Sequence, residues 1–137
     1  MMDYHGRAAQ ADTFPKLLRL NAHQHPDEVA LREKHLGIWQ CFTWHDYHTR
    51  VRDLALGLNE LGVGPGDVVA LIGDNRPDWV GGEIAAHAVG AISLGIYRDA
   101  LEDEVAYLLR SSETELVFAE DEEQADKLLA LADGAPS

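Results

Sequence analysis

Five residues stand in two short stretches where side chains of their types hold small charged ligands. Asp74, Asn75 and Arg76 form the first stretch, and Tyr97 and Arg98 the second. Each follows an apolar run that reads as a strand, residues 68–72 and 91–96. Loops at the carboxy ends of parallel strands are where open α/β sheets bind ligands, so Arg76 and Arg98 are candidates to face one crevice. The plainer expectation, and the preferred one, is that both arginines cap helices or pair with local acids.

Other residue sets do not meet the demands of their chemistry. Gly62, Gly64 and Gly66 are spaced like a phosphate cradle but lead from a helix into a strand. An anion site needs the opposite order, so that helix N–H groups face the charge. These glycines therefore read as a turn. Residues 73–77 have the right order, yet Asp74 puts negative charge where a phosphate would sit and Pro77 removes a donor. Cys41, His45 and His48 are metal-type side chains without a fourth convergent ligand, and His23 and His25 stand apart, so no metal is expected. No serine sits in a Gly-x-Ser-x-Gly elbow. Beyond neighbouring histidines, Cys41 lacks the surroundings that mark a reactive thiol. The expectation is a chain with no complete catalytic site of its own.

The elements that must position these residues follow from periodicity. Thr13 can cap a helix with Pro15 in its first turn and Phe14, Leu17, Leu18 and Ala22 on one face. That helix ends before Pro26. Residues 29–32 and 38–42 read as a hairpin turning at His35, Leu36 and Gly37. Thr43 caps a second helix, with Tyr47, Val51, Leu54, Ala55, Leu58 and Leu61 as its apolar stripe and Gly62 as its left-handed end. Residues 68–72 are an unbroken apolar run, as in a strand buried on both faces. A helix opened by Pro77 follows, with Gly81, Gly82, Ala85, Ala86 and Ala88 allowing close approach to a sheet. Residues 91–96 read as a second buried strand. A helix over 102–110, a strand over 116–119 and a helix over 122–132 complete the chain. The fold class is α/β: an N-terminal helix and hairpin, then β-α-β-α-β-α, half of a doubly wound parallel sheet with right-handed crossovers. The expected boundaries are a tail at 1–12, one subdomain at 13–132 and a tail at 133–137.

Composition bounds the function. Net charge is −13, from 24 acids against 11 bases. From Arg98 onward there are 12 acids and three bases, read as a solvated face. Such a balance repels nucleic-acid phosphates and anionic lipid, so no nucleic-acid role is expected. One cysteine excludes an intrachain disulfide and fits a reducing compartment. No apolar run reaches bilayer-spanning length, and residues 1–7 lack a signal-peptide pattern. The expected location is the cytoplasm.

An ordered series of short motifs carries a resemblance. Phe42-Thr43-Trp44-His45-Asp46-Tyr47 is followed by Leu54-Ala55-x-Gly57-Leu58-x-x-Leu61-Gly62-Val63 and Gly66-Asp67-Val68-Val69-Ala70. Asn75-Arg76-Pro77-Asp78-Trp79 and Gly90-Ala91-Ile92-Ser93-Leu94-Gly95-Ile96-Tyr97 come next, then Glu104-Val105-Ala106-Tyr107-Leu108-Leu109 and Val117-Phe118-Ala119-Glu120-Asp121-Glu122-Glu123-Gln124. From Thr13 to Leu131 the chain resembles the N-terminal portion of the AMP-forming acyl-CoA synthetases, within the adenylate-forming superfamily. The last two motifs resemble the long-chain fatty-acid branch. The resemblance implies, for a full-length member, conversion of a fatty acid, ATP and coenzyme A to acyl-CoA, AMP and pyrophosphate with Mg²⁺. The family's Ser/Thr/Gly-rich loop ending in Pro-Lys has no counterpart here; Lys16, Lys34 and Lys127 are the only lysines, and none follows a glycine-rich run. The matched positions are structural, so no catalytic residue carries over and no cofactor is expected for this chain alone. The resemblance further implies the remainder of the synthetase or a second subunit as partner, with 13–25 in a homodimer contact. Two rivals remain: a stand-alone interaction module, and a small ligand-binding α/β domain of receiver type using Asp74 and Asp121.

Overall fold

The protein is described by a computed structural model over residues 11–133. Helix α1 spans Phe14–Gln24, with the Thr13 hydroxyl accepting from the Lys16 N–H and Pro15 in the first turn. Strands β1 (Val29–His35) and β2 (Ile38–Thr43) form an antiparallel hairpin. Leu36 and Gly37 connect them with φ of 48° and 82°, the backbone that matches strand twist in a two-residue turn. Helix α2 (Trp44–Glu60) starts at a reciprocal cap. There the Thr43 Oγ1 accepts from the Asp46 N–H at 3.1 Å, and Asp46 Oδ2 accepts from the Thr43 N–H at 2.9 Å. These bonds hold the Asp46 carboxyl below its usual range.

Strand β3 (Val68–Ile72) is the centre of a parallel sheet ordered β4-β3-β5, with β4 at Ile92–Ile96 and β5 at Thr114–Ala119. Helix α3 (Pro77–Ala88) links β3 to β4, α4 (Glu102–Ser111) links β4 to β5, and α5 (Glu122–Asp133) follows. Because β3 is flanked on both sides, its alternate side chains enter two separate cores. Val69 joins Leu18, Tyr47, Val51, Leu58 and Ala85 from α1, α2 and α3. Ala70 and Ile72 join Ile96 and Val105, with Leu128 and Leu131 of α5 packed against them. Helices thus cover both faces of the sheet, as the doubly wound class requires.

Several positions depart from the expectations. Strand β4 is an edge strand rather than an inner one, and Ile92 is 57% exposed. Leu61 lies past the last turn of α2 as its C-cap and is exposed instead of joining the stripe. Phe14 points outward and stacks on His87, with ring centroids 6.5 Å apart. Ala88 is exposed, whereas Gly81, Gly82, Ala85 and Ala86 are buried. Of the expected tails, Ala11 is buried, Asp12 meets Lys16 at 2.6 Å and Asp133 closes α5; residues 1–10 and 134–137 lie outside the described residues.

Gly82 sets the distance between α3 and the sheet. A Cβ there would stand 2.9 Å from Leu71 Cδ2 and 3.3 Å from Phe118 Cδ2. Gly82→Val should therefore lower the unfolding free energy by about 2 kcal/mol through overpacking, read from the urea midpoint. A midpoint equal to wild type would show that α3 and β3 separate freely.

Candidate functional site

Strand order reverses around β3: the chain leaves it for β4 on one side and returns to β5 on the other. Beyond the carboxy ends of β3 and β5 lies a cavity of about 350 Å³. Leu71, Phe118 and Gly82 form apolar wall, and Arg50, Arg76 and Glu120 bring charge to it. This is the switch-point location where doubly wound sheets hold ligands.

The turn out of β3 is shaped by Glu120. Gly73 has φ of 154°, and a Cβ on it would come within 2.6 Å of Glu120 Cβ, so only glycine fits. Glu120 donates its N–H to the Ile72 carbonyl at 3.0 Å, while its Oε2 accepts the Asp74 N–H at 2.7 Å. Two loops are thereby locked together at the mouth of the crevice.

Each arginine at this mouth is already paired. Arg76 Nε donates to Glu33 Oε1 of the hairpin at 2.8 Å, and its Nη1 donates to Glu120 Oε1 at 3.4 Å. Arg98 Nη1 donates to Asp74 Oδ2 at 2.9 Å, and its Nη2 reaches Asp121 Oδ2 at 3.5 Å. Arg50 pairs with Asp78 across α2 and α3. Bonds to Glu33 foremost, and then to Glu120, raise the pKa of Arg76; those to Asp74 do the same for Arg98. The five sequence candidates therefore divide. Asp74 and Arg76 line the crevice, and Arg98 joins them through Asp74. Asn75 is exposed, and Tyr97 borders a different groove beside α4. The acids that sequence reasoning missed as partners are Glu33 and Glu120. Glu120 had a signal, since it ends a strand in the same ring of loops; Glu33 had none, because only tertiary docking of the hairpin brings it near.

Electrostatically, this mouth does not fit a metal–triphosphate. Its cations are neutralised within the chain, and Asp74, Glu120 and Asp121 each face an arginine instead of an open metal position. Among the described residues no group of three or more His, Cys, Asp or Glu is placed to hold a metal ion. Burial, with Arg52, His45 and Arg19 adding to it, lowers the pKa of His48 and so favours its neutral form.

A second polar cluster lies on the other side of α3. His87 Nε2 is 2.9 Å from Ser93 Oγ, which also donates to Glu83 Oε1 at 3.4 Å. The acid contacts the hydroxyl rather than the imidazole, so it does not orient a base behind the serine as nucleophilic catalysis requires. Nearby Tyr47 is pushed up to about 12 by burial and by the charge of Glu83. The His87, Ser93 and Glu83 contacts fasten α3 to β4.

The arginine pairs carry a direct consequence. Arg76→Met should accelerate hydrogen exchange at the β1–β2 amides while leaving β3 protected. A double-mutant cycle with Glu120→Gln should give a non-zero coupling that shrinks with salt. Unchanged hairpin exchange would show that Glu33 and Arg76 do not hold the hairpin.

Comparison with known proteins follows the same geometry. A family profile described as AMP-binding enzyme matches residues 18–136. The long-chain-fatty-acid–CoA ligase FadD15 of Mycobacterium bovis is 32% identical over 112 residues, which are 82% of this chain and 19% of that protein. An uncharacterized protein of Mycobacterium tuberculosis is 35% identical over 120 residues, 81% of this chain and 67% of that one. A solved structure of a putative long-chain-fatty-acid CoA ligase from Rhodopseudomonas palustris superposes with a TM-score of 0.78 at 28% identity, over 90% of this chain and 30% of that one. The N-terminal domain of FACL13 from Mycobacterium tuberculosis shares the fold, with a TM-score of 0.78 at 24% identity over 87% of this chain and 29% of that one. The chain thus spans about a fifth of the ligase relative's length and about two thirds of the uncharacterized protein.

Proposed function

The chain belongs to the AMP-binding enzyme family, and on that premise we propose that it supplies the leading α/β portion of a fatty-acid–CoA ligase and does not perform the reaction by itself. The reaction served is formation of acyl-CoA from a fatty acid, ATP and coenzyme A, releasing AMP and pyrophosphate, on medium- to long-chain acids. One observation carries this reading: the arginines at the switch-point crevice are neutralised by Glu33, Glu120, Asp74 and Asp78 of the same chain. Activating a carboxylate with ATP develops charge on the phosphates that cations and Mg²⁺ must offset. The absence of a glycine-rich loop closed by lysine in this sequence supports the same reading. The chemistry then belongs to the remainder of the synthetase, the first partner of this reading, in the cytoplasm. The similarity to the FadD15 ligase supports the substrate class.

The uncharacterized Mycobacterium tuberculosis relative favours a second reading. Since 120 aligned residues make up 67% of it, whereas 112 make up 19% of the FadD15 ligase, a relative much shorter than that ligase exists there. Under that reading the protein is an interaction module that pairs with another subunit or with a second copy of itself. Among the described residues no helix is long and apolar enough to cross a membrane.

The purified chain, given Mg²⁺, ATP and fatty acids of medium to long length, should not exchange labelled pyrophosphate into ATP above buffer. Exchange that depends on an added fatty acid would overturn the non-catalytic assignment.

A further inference from the structure

The hairpin tip carries residues that neither its turn nor the core explains. Leu36 holds φ of 48° with its side chain 88% exposed. Asn, Asp or Gly suits that turn position without strain, so a leucine here is strained and buries nothing within the chain. Ile38 and Trp39 beside it are 70% and 62% exposed. The register Lys34↔Trp39 and Arg32↔Cys41 puts these four side chains on one face of the hairpin, and Lys34 Nζ lies 5.9 Å from the Trp39 ring centroid. Of the lysines and arginines among the described residues, Arg19, Arg32, Lys34 and Arg110 alone make no ion pair. The tip is therefore apolar and basic in a chain of net charge −13.

A complementary surface lies on the same molecule. Between the end of β4 and α4 runs a groove of about 570 Å³ with Ile96, Ala100 and Leu108 lining it. Tyr97 and Tyr107 border it, 89% and 68% exposed, and Leu101 next to it is 70% exposed. Asp103 lines it, exposed and without an ion pair among the described residues, and Asp99 and Glu102, also exposed and without an ion pair there, adjoin its lining residues in sequence. Arg98, next to Tyr97 in sequence, is turned to Asp74 and Asp121. The hairpin packs into the first core through Ala30 and Leu31, and α4 into the second through Val105, on opposite faces of the sheet. The tip of one molecule is thus matched to the groove of another.

We propose that the chain self-associates through this match, the hairpin tip of one copy seating in the α4 groove of a second. The inference rests on the reading of a self-pairing module and names its surfaces. Local complementarity between the two bare bases of the tip and the exposed acids at the groove selects this occupant, and it has to outweigh the repulsion between two copies of net charge −13. The patches differ, so a contact made once is heterologous and can propagate into a ring or an open chain, whereas a two-fold dimer makes it twice and is isologous.

Sedimentation of the chain up to about 200 µM tests it. The wild type should associate. Leu36→Gly, which suits the turn backbone, and Lys34→Glu should each weaken association at least about tenfold, with thermal melting no lower than wild type for Leu36→Gly. Asp103→Lys should do the same, and the Lys34→Glu/Asp103→Lys pair should recover most of the wild-type association. A wild type that stays monomeric overturns the proposal together with the self-pairing reading. Association that ignores Leu36→Gly and Lys34→Glu leaves that reading standing and overturns the hairpin contact. Failure of the charge swap to rescue overturns the groove as its seat. A monomer that floats with phosphatidylglycerol vesicles in a Leu36-dependent way assigns the tip to a lipid surface and overturns the proposal.

Discussion

Strand β3 has water on neither face. Val69, Ala70, Leu71 and Ile72 are all 0–1% exposed, and burying each larger side chain stabilises the fold by about 1.5–3 kcal/mol relative to leaving it in water. A strand of that kind holds only if apolar elements arrive on both faces and hydrogen-bonded neighbours on both edges. The order of the chain follows from this constraint. β4 and β5 flank β3, α2 and α3 cover one face, and α4 and α5 cover the other. Small residues on α3 let that helix lie against Leu71 and Phe118, and the stripe of α2 closes over α3.

The same arrangement creates the crevice and decides its character. Flanking β3 by strands reached in opposite directions leaves a gap beyond β3 and β5. Glu120 fills its mouth, bonded to the Asp74 N–H and to Arg76. Through Arg76 the mouth also takes hold of Glu33, so the hairpin is tied to the sheet at its far end. A location that in this architecture receives ligands is here a junction between loops and the hairpin.

Legibility in the sequence tracked how local the cause was. The caps at Thr13 and Thr43, the hairpin turn and the buried run of β3 all arise from residues within one element, and each was readable. Strand β4 reads as apolar as β3, yet Ile92 is exposed because sheet order, which periodicity does not encode, puts it at an edge. Phe14 and Leu61 fit helical stripes by spacing, but each sits at a helix terminus and stays exposed. Pairing of the arginines with acids was anticipated, whereas Glu33 is 43 residues from Arg76 and became a partner only through docking of the hairpin.

We propose that the arginine pairs keep a nucleotide from seating at the mouth of the crevice. A titration of the ¹⁵N-labelled chain with Mg-ATP to about 5 mM, following backbone amide shifts, tests it most directly. No saturable shift is expected at Gly73, Asp74, Arg76, Arg98 or Glu120. Saturable shifts confined to those amides would show that the arginine pairs open for phosphate, and would contradict the proposal.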